Sequence, residues 1–289
     1  MTALLVALLL SAPDGGSLSR AALTRPVGVH SDTLQIFARE NRAVYSGHAR
    51  ATRDAAVITC DQLTVRYSQG QEVTRVEAEG HVEVVEGDRW AKGDRADFDN
   101  LTGVLVVLGS PEARQKTSHV AGSKVTFTVG NDLIEVEDAR TLFEDSGTVA
   151  SGAPKPKGKP SRVAVDAKHL KVYGKKNEAV WSGNVKARRG PTRINTDRLI
   201  AHYGDDQEVT RVEAEGGVEV QDGEKWARGD HADFDNLRGL LVVTGNPIAR
   251  QGDSWVKGTR VTFTVGDDRI DVEKAESLIH TKPLGHPKP

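Results

Sequence analysis

The sequence predicts an all-β chain built from two tandem antiparallel domains, and three observations carry that expectation. Apolar and polar residues alternate at period two, turn residues interrupt the alternation at short intervals, and one register of similarity relates the front half of the chain to the back. No segment shows a sustained apolar stripe at helical spacing, which would be the mark of an amphipathic helix.

The alternation is clearest in VEAEGHVEV. Val76, Ala78, Gly80, Val82 and Val84 fall on one face, and Glu77, Glu79, His81 and Glu83 on the other, as expected of a strand in a sheet with one wet side. Glu86-Gly87-Asp88, Asp99 to Gly103 and Gly109-Ser110-Pro111 punctuate the strands with turn residues. A shorter period of about 30 residues, the size of one supersecondary unit, brings back a small residue beside Asp or Ser, an alternating run and an aromatic. It appears as CDQLTVRY, GDRADF and GSKVTF, ending at Tyr67, Phe98 and Phe127. The apolar face is aliphatic, with aromatics only 5% of the chain. Such a sheet must close over itself or a second sheet, giving a narrow sandwich or jelly roll whose interior is either a filled core or an open groove. Trp90 and Trp226 are expected to pack in the core or at the mouth of a groove.

The long repeat is ungapped. QEVTRVEAEG begins at Gln71 and again at Gln207, and Ala96–Leu101 and Val125–Gly130 return at Ala232–Leu237 and Val261–Gly266 in the same register. The expected organisation is one β domain over 30–144, a Gly/Pro/Lys-rich linker over 145–161, a second β domain over 162–280, and a disordered tail over 281–289. Residues 1–12 read as a signal peptide: the apolar run Ala3–Leu10 is too short to span a bilayer, and small residues follow it. A basic region ahead of the run is missing, so the signal is atypical.

Composition excludes several classes. A formal net charge of −2 leaves no cationic excess to attract nucleic acid. One cysteine, Cys60, rules out a disulfide framework or a cysteine zinc site. Asp94, Asp97, Asp99 and Asn100 invite comparison with a calcium loop, but their spacing misses the alternate ligand positions and the Gly and Glu such a loop needs. Glu77, Glu79 and Glu83 invite a glycosidase reading. They recur unchanged as Glu213, Glu215 and Glu219, as a polar sheet face does, and His81 becomes Gly217. No catalytic residue, metal ligand or cofactor is assigned.

One motif carries a name. The run G-D-x-A-D-F-D-N-L-x-G-x-L-x-V-x-G-[SN]-P-x-A-R-Q, at Gly93–Gln115 and again at Gly229–Gln251, resembles the signature of the LptA/OstA family of lipopolysaccharide-transport proteins. Ser46–Ala49 with Ser182–Val185, and Gly122–Phe127 with Gly258–Phe263, fit the same pattern. The resemblance implies two tandem twisted antiparallel β-jelly-roll domains in the periplasm of a Gram-negative cell. It also implies an aliphatic groove that shields the acyl chains of lipid A as lipopolysaccharide moves from inner to outer membrane. The expected lining is Val76, Ala78, Val82, Val84, Ala96, Phe98, Val125, Phe127 and Val129, with Val212, Ala214, Val218, Val220, Ala232, Phe234, Val261, Phe263 and Val265 in the second copy. Expected partners are lipopolysaccharide, the inner- and outer-membrane components of its transport machinery, and further copies of the chain joined head to tail. The competing expectation is an adaptor between envelope proteins, made of two filled β-sandwiches that bind no lipid.

Overall fold

In a computed structural model of the chain, the structure describes residues 27–53, 55–87, 89–115, 118–128, 132–145, 161–204, 208–252, 254–264 and 270–278. The expected signal peptide, residues 146–160 of the expected linker and the expected tail lie outside the described residues.

Alternation becomes strand throughout. β1 (Gly28–His30) and β2 (Thr33–Phe37) form an edge against β3 (Arg42–Arg53), and β4 (Ala56–Tyr67), β5 (Val73–Glu86) and β6 (Arg89–Asp99) follow, each antiparallel to the last. At β6 the sheet forks. Its second half pairs with β7 (Val104–Leu108) and onward to β10 (Lys124–Thr128), while its first half pairs with β8 (Glu112–Gln115) and onward to β9 (Ser118–Ala121). β11 (Leu133–Asp145) reunites the branches, taking β10 along Leu133–Glu137 and β9 along Arg140–Leu142.

The second repeat follows the same plan. β12 (Ser161–Tyr173) stands where β1 and β2 stood, and β13 (Glu178–Arg189), β14 (Thr192–Tyr203), β15 (Val209–Asp222) and β16 (Lys225–Asp235) follow it. The fork recurs as β17 (Leu240–Thr244) with β20 (Arg260–Thr264), and β18 (Ile248–Gln251) with β19 (Ser254–Lys257). β21 (Ile270–Glu273) and β22 (Glu276–Leu278) end the sheet in the place of β11.

Each long strand bends near its middle, where the ladder slips between Ser46 and Ala49, Glu79 and Val82, Ser182 and Val185, and Glu215 and Val218. At each slip two consecutive residues take positive φ, for example Gly80 at 75° and His81 at 48°. This is bulge geometry, which turns a strand sharply. The bends align into a crease that divides the sheet into two walls. Glycine is required there by contact as well as by φ, since a Cβ on Gly80 would stand 2.1 Å from Asp61 Oδ2. Asp32 sits likewise against Gly47, Asp94 against Gly109, Asp197 against Gly216 and Asp230 against Gly245. The small-residue–Asp period of the sequence is therefore the crease. Gly80, expected on the apolar face, belongs to the bend, because its lack of a Cβ is used for conformation and not for lining.

The two walls close on one aliphatic core that runs through both repeats. The repeats are joined by more than a tether: β11 pairs with β12 from Leu133↔Tyr173 to Asp145↔Ser161, the ladder being interrupted only beside Asp138. Asp145 and Ser161, expected as the ends of the linker, are thus strand partners, and one sheet continues from β1 to β22. The joint is dry. Leu170 and Val172 on β12 are 1% and 3% exposed, whereas their counterparts on the free edge, Leu34 and Ile36, are 50% and 73% exposed.

Candidate functional site: a continuous apolar lining

Because every strand is antiparallel to its neighbours, inward residues meet across strands and form rows perpendicular to the chain. One row on the first wall runs Ile36, Ala43, Val65, Val76, Phe98, Leu105, Phe127, Ile134. It crosses the joint to Val172 and goes on through Ala179, Ala201, Val212, Phe234, Leu241, Phe263 and Ile270. No polar side chain interrupts it. The parallel row begins at Leu34 and Tyr45, passes through Leu63, Ala78, Ala96, Val107, Val125 and Val136, and crosses to Leu170, Trp181 and Leu199. It ends through Ala214, Ala232, Val243, Val261 and Val272.

The facing wall supplies a third row, from Val29, Ala51, Ile58, Val84, Ala91, Ala113 and Val120 through Thr141 to Val165, Ala187, Ile194, Val220, Ala227, Ala249 and Val256. Its one hydroxyl in that stretch is satisfied: Trp181 Nε1 donates to Thr141 Oγ1 at 3.1 Å. Trp181 lies on one wall in the second repeat and Thr141 on the other in the first, so this bond ties walls and repeats together. An apolar recess beside the joint is lined by Val125, Ile134, Val136, Leu170 and Val172, among others.

Of the expected lining, Val76, Phe98, Phe127, Val212, Phe234 and Phe263 lie in the first row, and Ala78, Ala96, Val125, Ala214, Ala232 and Val261 in the second. Val84 and Val220 face them from the third, and Val82 and Val218 pack near the crease opposite Gly93 and Gly229. Val129 and Val265 lie outside the described residues. Sequence reasoning passed over the residues at the joint, chiefly Ile134, Val136, Leu170, Val172 and Trp181. For the first four, the alternation in LIEVE and HLKVY was the available signal.

The polar face is an ion-pair lattice. Glu77 pairs with Arg66 at 3.1 Å, Glu79 with Arg95 at 3.0 Å, and Asp97 with Arg75. The second copy sets Glu215 against Arg198 at 2.7 Å and Asp233 against Arg211. The acids weighed as a calcium loop are separated by the fold. Asp97 faces Arg75, Asp94 sits at the crease, and Asp99 accepts the Leu101 and Thr102 backbone N–H groups, which hold its carboxyl below the usual range. At the crease His48 lies 2.8 Å from Asp32 and His81 2.9 Å from Asp61, and these carboxylates raise both imidazoles above the ordinary value. Cys60 faces inward, and burial pushes its thiol up to about 11.

Trp90 and Trp226 correct the expectation of core packing. They stand on the outer face, next in sequence to the inward Ala91 and Ala227, and their indole N–H groups donate to Glu83 and Glu219. Strand parity overrides the preference of a large aromatic for the interior.

The model of the family described as LptA/(LptD N-terminal domain) LPS transport protein matches residues 28–132 and 164–269, once in each repeat. Among curated proteins, the lipopolysaccharide export system protein LptA of Escherichia coli K12 is 28% identical over 127 residues, covering 38% of this chain and 63% of that protein. LptA of Shigella flexneri gives the same figures. The chain therefore spans just under two thirds of the length of these relatives. Among solved structures, the crystal structure of LptH, the LptA homologous periplasmic component of the lipopolysaccharide transport device of Pseudomonas aeruginosa, aligns at 15% identity with a TM-score of 0.36. That alignment covers 48% of this chain and 94% of the LptH chain.

Proposed function

The chain belongs to the LptA/LptD N-terminal family of lipopolysaccharide transport proteins, and from that premise we propose that it is a periplasmic bridge module whose interior shields the acyl chains of lipopolysaccharide between inner and outer membrane. The observation that carries this reading is the unbroken apolar rows, which cross from the first repeat to the second through β11 and β12 without a charged residue. An acyl chain exposed to water loses about 0.8 kcal/mol for each CH₂ left unburied. A carrier that lets cargo advance needs many equivalent weak contacts along one path, and a repeated aliphatic row supplies them. Ala78 is 4% exposed and Phe127 0%, so this reading requires the walls to part about the crease to admit a chain.

The same reading covers the partners. The β2 edge and the β21/β22 edge are the two ends of the sheet, where a neighbouring module adds by strand pairing. The internal β11–β12 joint is the template for that contact. Further copies of the chain, or the inner- and outer-membrane components of the transport machinery, dock on these ends.

The tightly closed interior is the one observation that favours the other reading, a filled-core adaptor. A photo-crosslinking residue at Phe98 or Phe234 separates the two. The expected result is a lipopolysaccharide adduct at both positions and none at Glu79 on the wet face. Adducts confined to Glu79, or absent at every position, would rule out the carrier.

A further inference from the structure

The two repeats share a lining but differ on one outer surface. Next to the rim of the third-row wall, cross-strand register sets Arg188, Arg193, Gln221, Trp226, Arg250 and Trp255 in one outward row. Arg228 and Lys257 stand two residues closer to the crease on the same face. All five cations are exposed, and among the described residues none of them makes an ion pair.

The corresponding places in the first repeat show what was changed. Arg188 stands for Thr52, Arg193 for Val57, Lys257 for Ala121 and Trp255 for His119. The acid of the first repeat's patch, Glu112, lies 3.1 Å from Lys92, 3.8 Å from Arg114 and 3.4 Å from His119. In the second repeat Ile248 takes its place. Three cations and an indole are gained and the central carboxylate is lost, while at the borders Glu276 stands for Arg140 and Asp166 for His30. Among the described residues the acids on or beside this face are Glu219, already holding Trp226 Nε1 at 2.6 Å, Asp166 and Glu276 at its borders, and Glu224 in the turn two residues before Trp226. Trp226 and Trp255 meet edge to face, centroids 5.7 Å apart at 73°, and the Arg250 guanidinium lies 5.4 Å from the Trp255 ring centre. Trp255 remains 39% exposed.

We propose that this face of the second repeat binds a phosphorylated saccharide, the glycan part of the carried lipid. The inference rests on the reading that acyl chains occupy the interior, and it adds where the attached sugars go. The Arg188–Arg193 row lies one residue from the Arg189–Thr192 hairpin end, so a glycan leaving the interior over this rim meets it first. Unpaired guanidinium groups offer forked donors matched to phosphate. An exposed indole offers an apolar plane to the C–H face of a pyranose ring, and clustered cations of one sign raise the local concentration of an anion.

The test uses the full chain and two probes, deacylated phosphorylated lipopolysaccharide oligosaccharide and the same oligosaccharide after phosphatase treatment, read by tryptophan fluorescence and calorimetry. The expected result is saturable binding that weakens at least tenfold on dephosphorylation and at least tenfold in the R188T/R193V/K257A variant, which restores the residues of the first repeat. These positions are exposed, so the variant keeps the wild-type melting curve, and W255H removes most of the fluorescence change. Equal affinity of variant and wild type, or indifference to phosphate, overturns the proposal. So does tighter binding of phosphatidylglycerol vesicles than of the glycan, which would make the face a membrane contact. Lipid crosslinking at Phe234 without glycan binding refutes this inference alone. Glycan binding without interior crosslinking supports the site and refutes the carrier reading.

Discussion

Leu34 and Leu170 occupy the same position in the two repeats, so Leu→Ala at each isolates the joint. At Leu170, 1% exposed between Val136 and Trp181, truncation forfeits the full transfer free energy and leaves a cavity, about 2–5 kcal/mol. At Leu34, 50% exposed on the free edge, only part of the roughly 1.5–3 kcal/mol for complete burial of such a side chain is at stake. The expected cost there is about 1 kcal/mol in the dilute monomer. Urea unfolding followed by circular dichroism and tryptophan fluorescence should therefore separate the variants by about 1–4 kcal/mol. Raising the protein concentration should enlarge the L34A cost if copies join by that edge, because binding adds to apparent stability, and should leave L170A unchanged. Equal costs for the two substitutions at low concentration would refute the reasoning, since they would mean that β12 is no better covered than β2.

Two further outcomes follow from the crease and the core. Gly122→Ala should destabilise by about 1–3 kcal/mol, because a Cβ there stands 2.5 Å from the Glu137 carbonyl oxygen. Gly70→Ala, whose Cβ meets nothing nearer than 3.5 Å, should stay within about 0.5 kcal/mol of wild type, and similar melting curves for the two would contradict the geometry. With its thiol pushed up to about 11, Cys60 should resist alkylation at pH 8 until urea opens the core. Stoichiometric labelling of the native chain within minutes would show the core to be open.

The strands were legible because each carries its own period-two signal, and the repeat because its register is ungapped. The joint was not. Pairing between β11 and β12 is a long-range property, and a Gly/Pro/Lys-rich stretch between two strands looks the same whether those strands pair or part. The crease was half legible. The small-residue–Asp recurrence was visible in the sequence, but that Gly80 bends the strand needs the positive φ and the contact with Asp61. Trp90 was assigned by residue type, whereas the alternation in RWAKGD already placed it opposite Ala91. On the outer surface, the substitutions between repeats were readable one by one. Only cross-strand register gathers Arg188, Arg193, Arg250 and Trp255 into one face.

The shared strand ladder also makes the chain a ruler. From Leu34 to Val272 the second inner row takes fifteen strand-to-strand steps, and at about 4.8 Å each this is a contour of about 70 Å. A relay assembled from such chains would need half as many intermolecular seams as one assembled from single repeats. The seam written into the polypeptide does not come apart on dilution. In such a relay any gap would be measured out in units of two repeats, with the number of breakable links set by gene structure as much as by affinity.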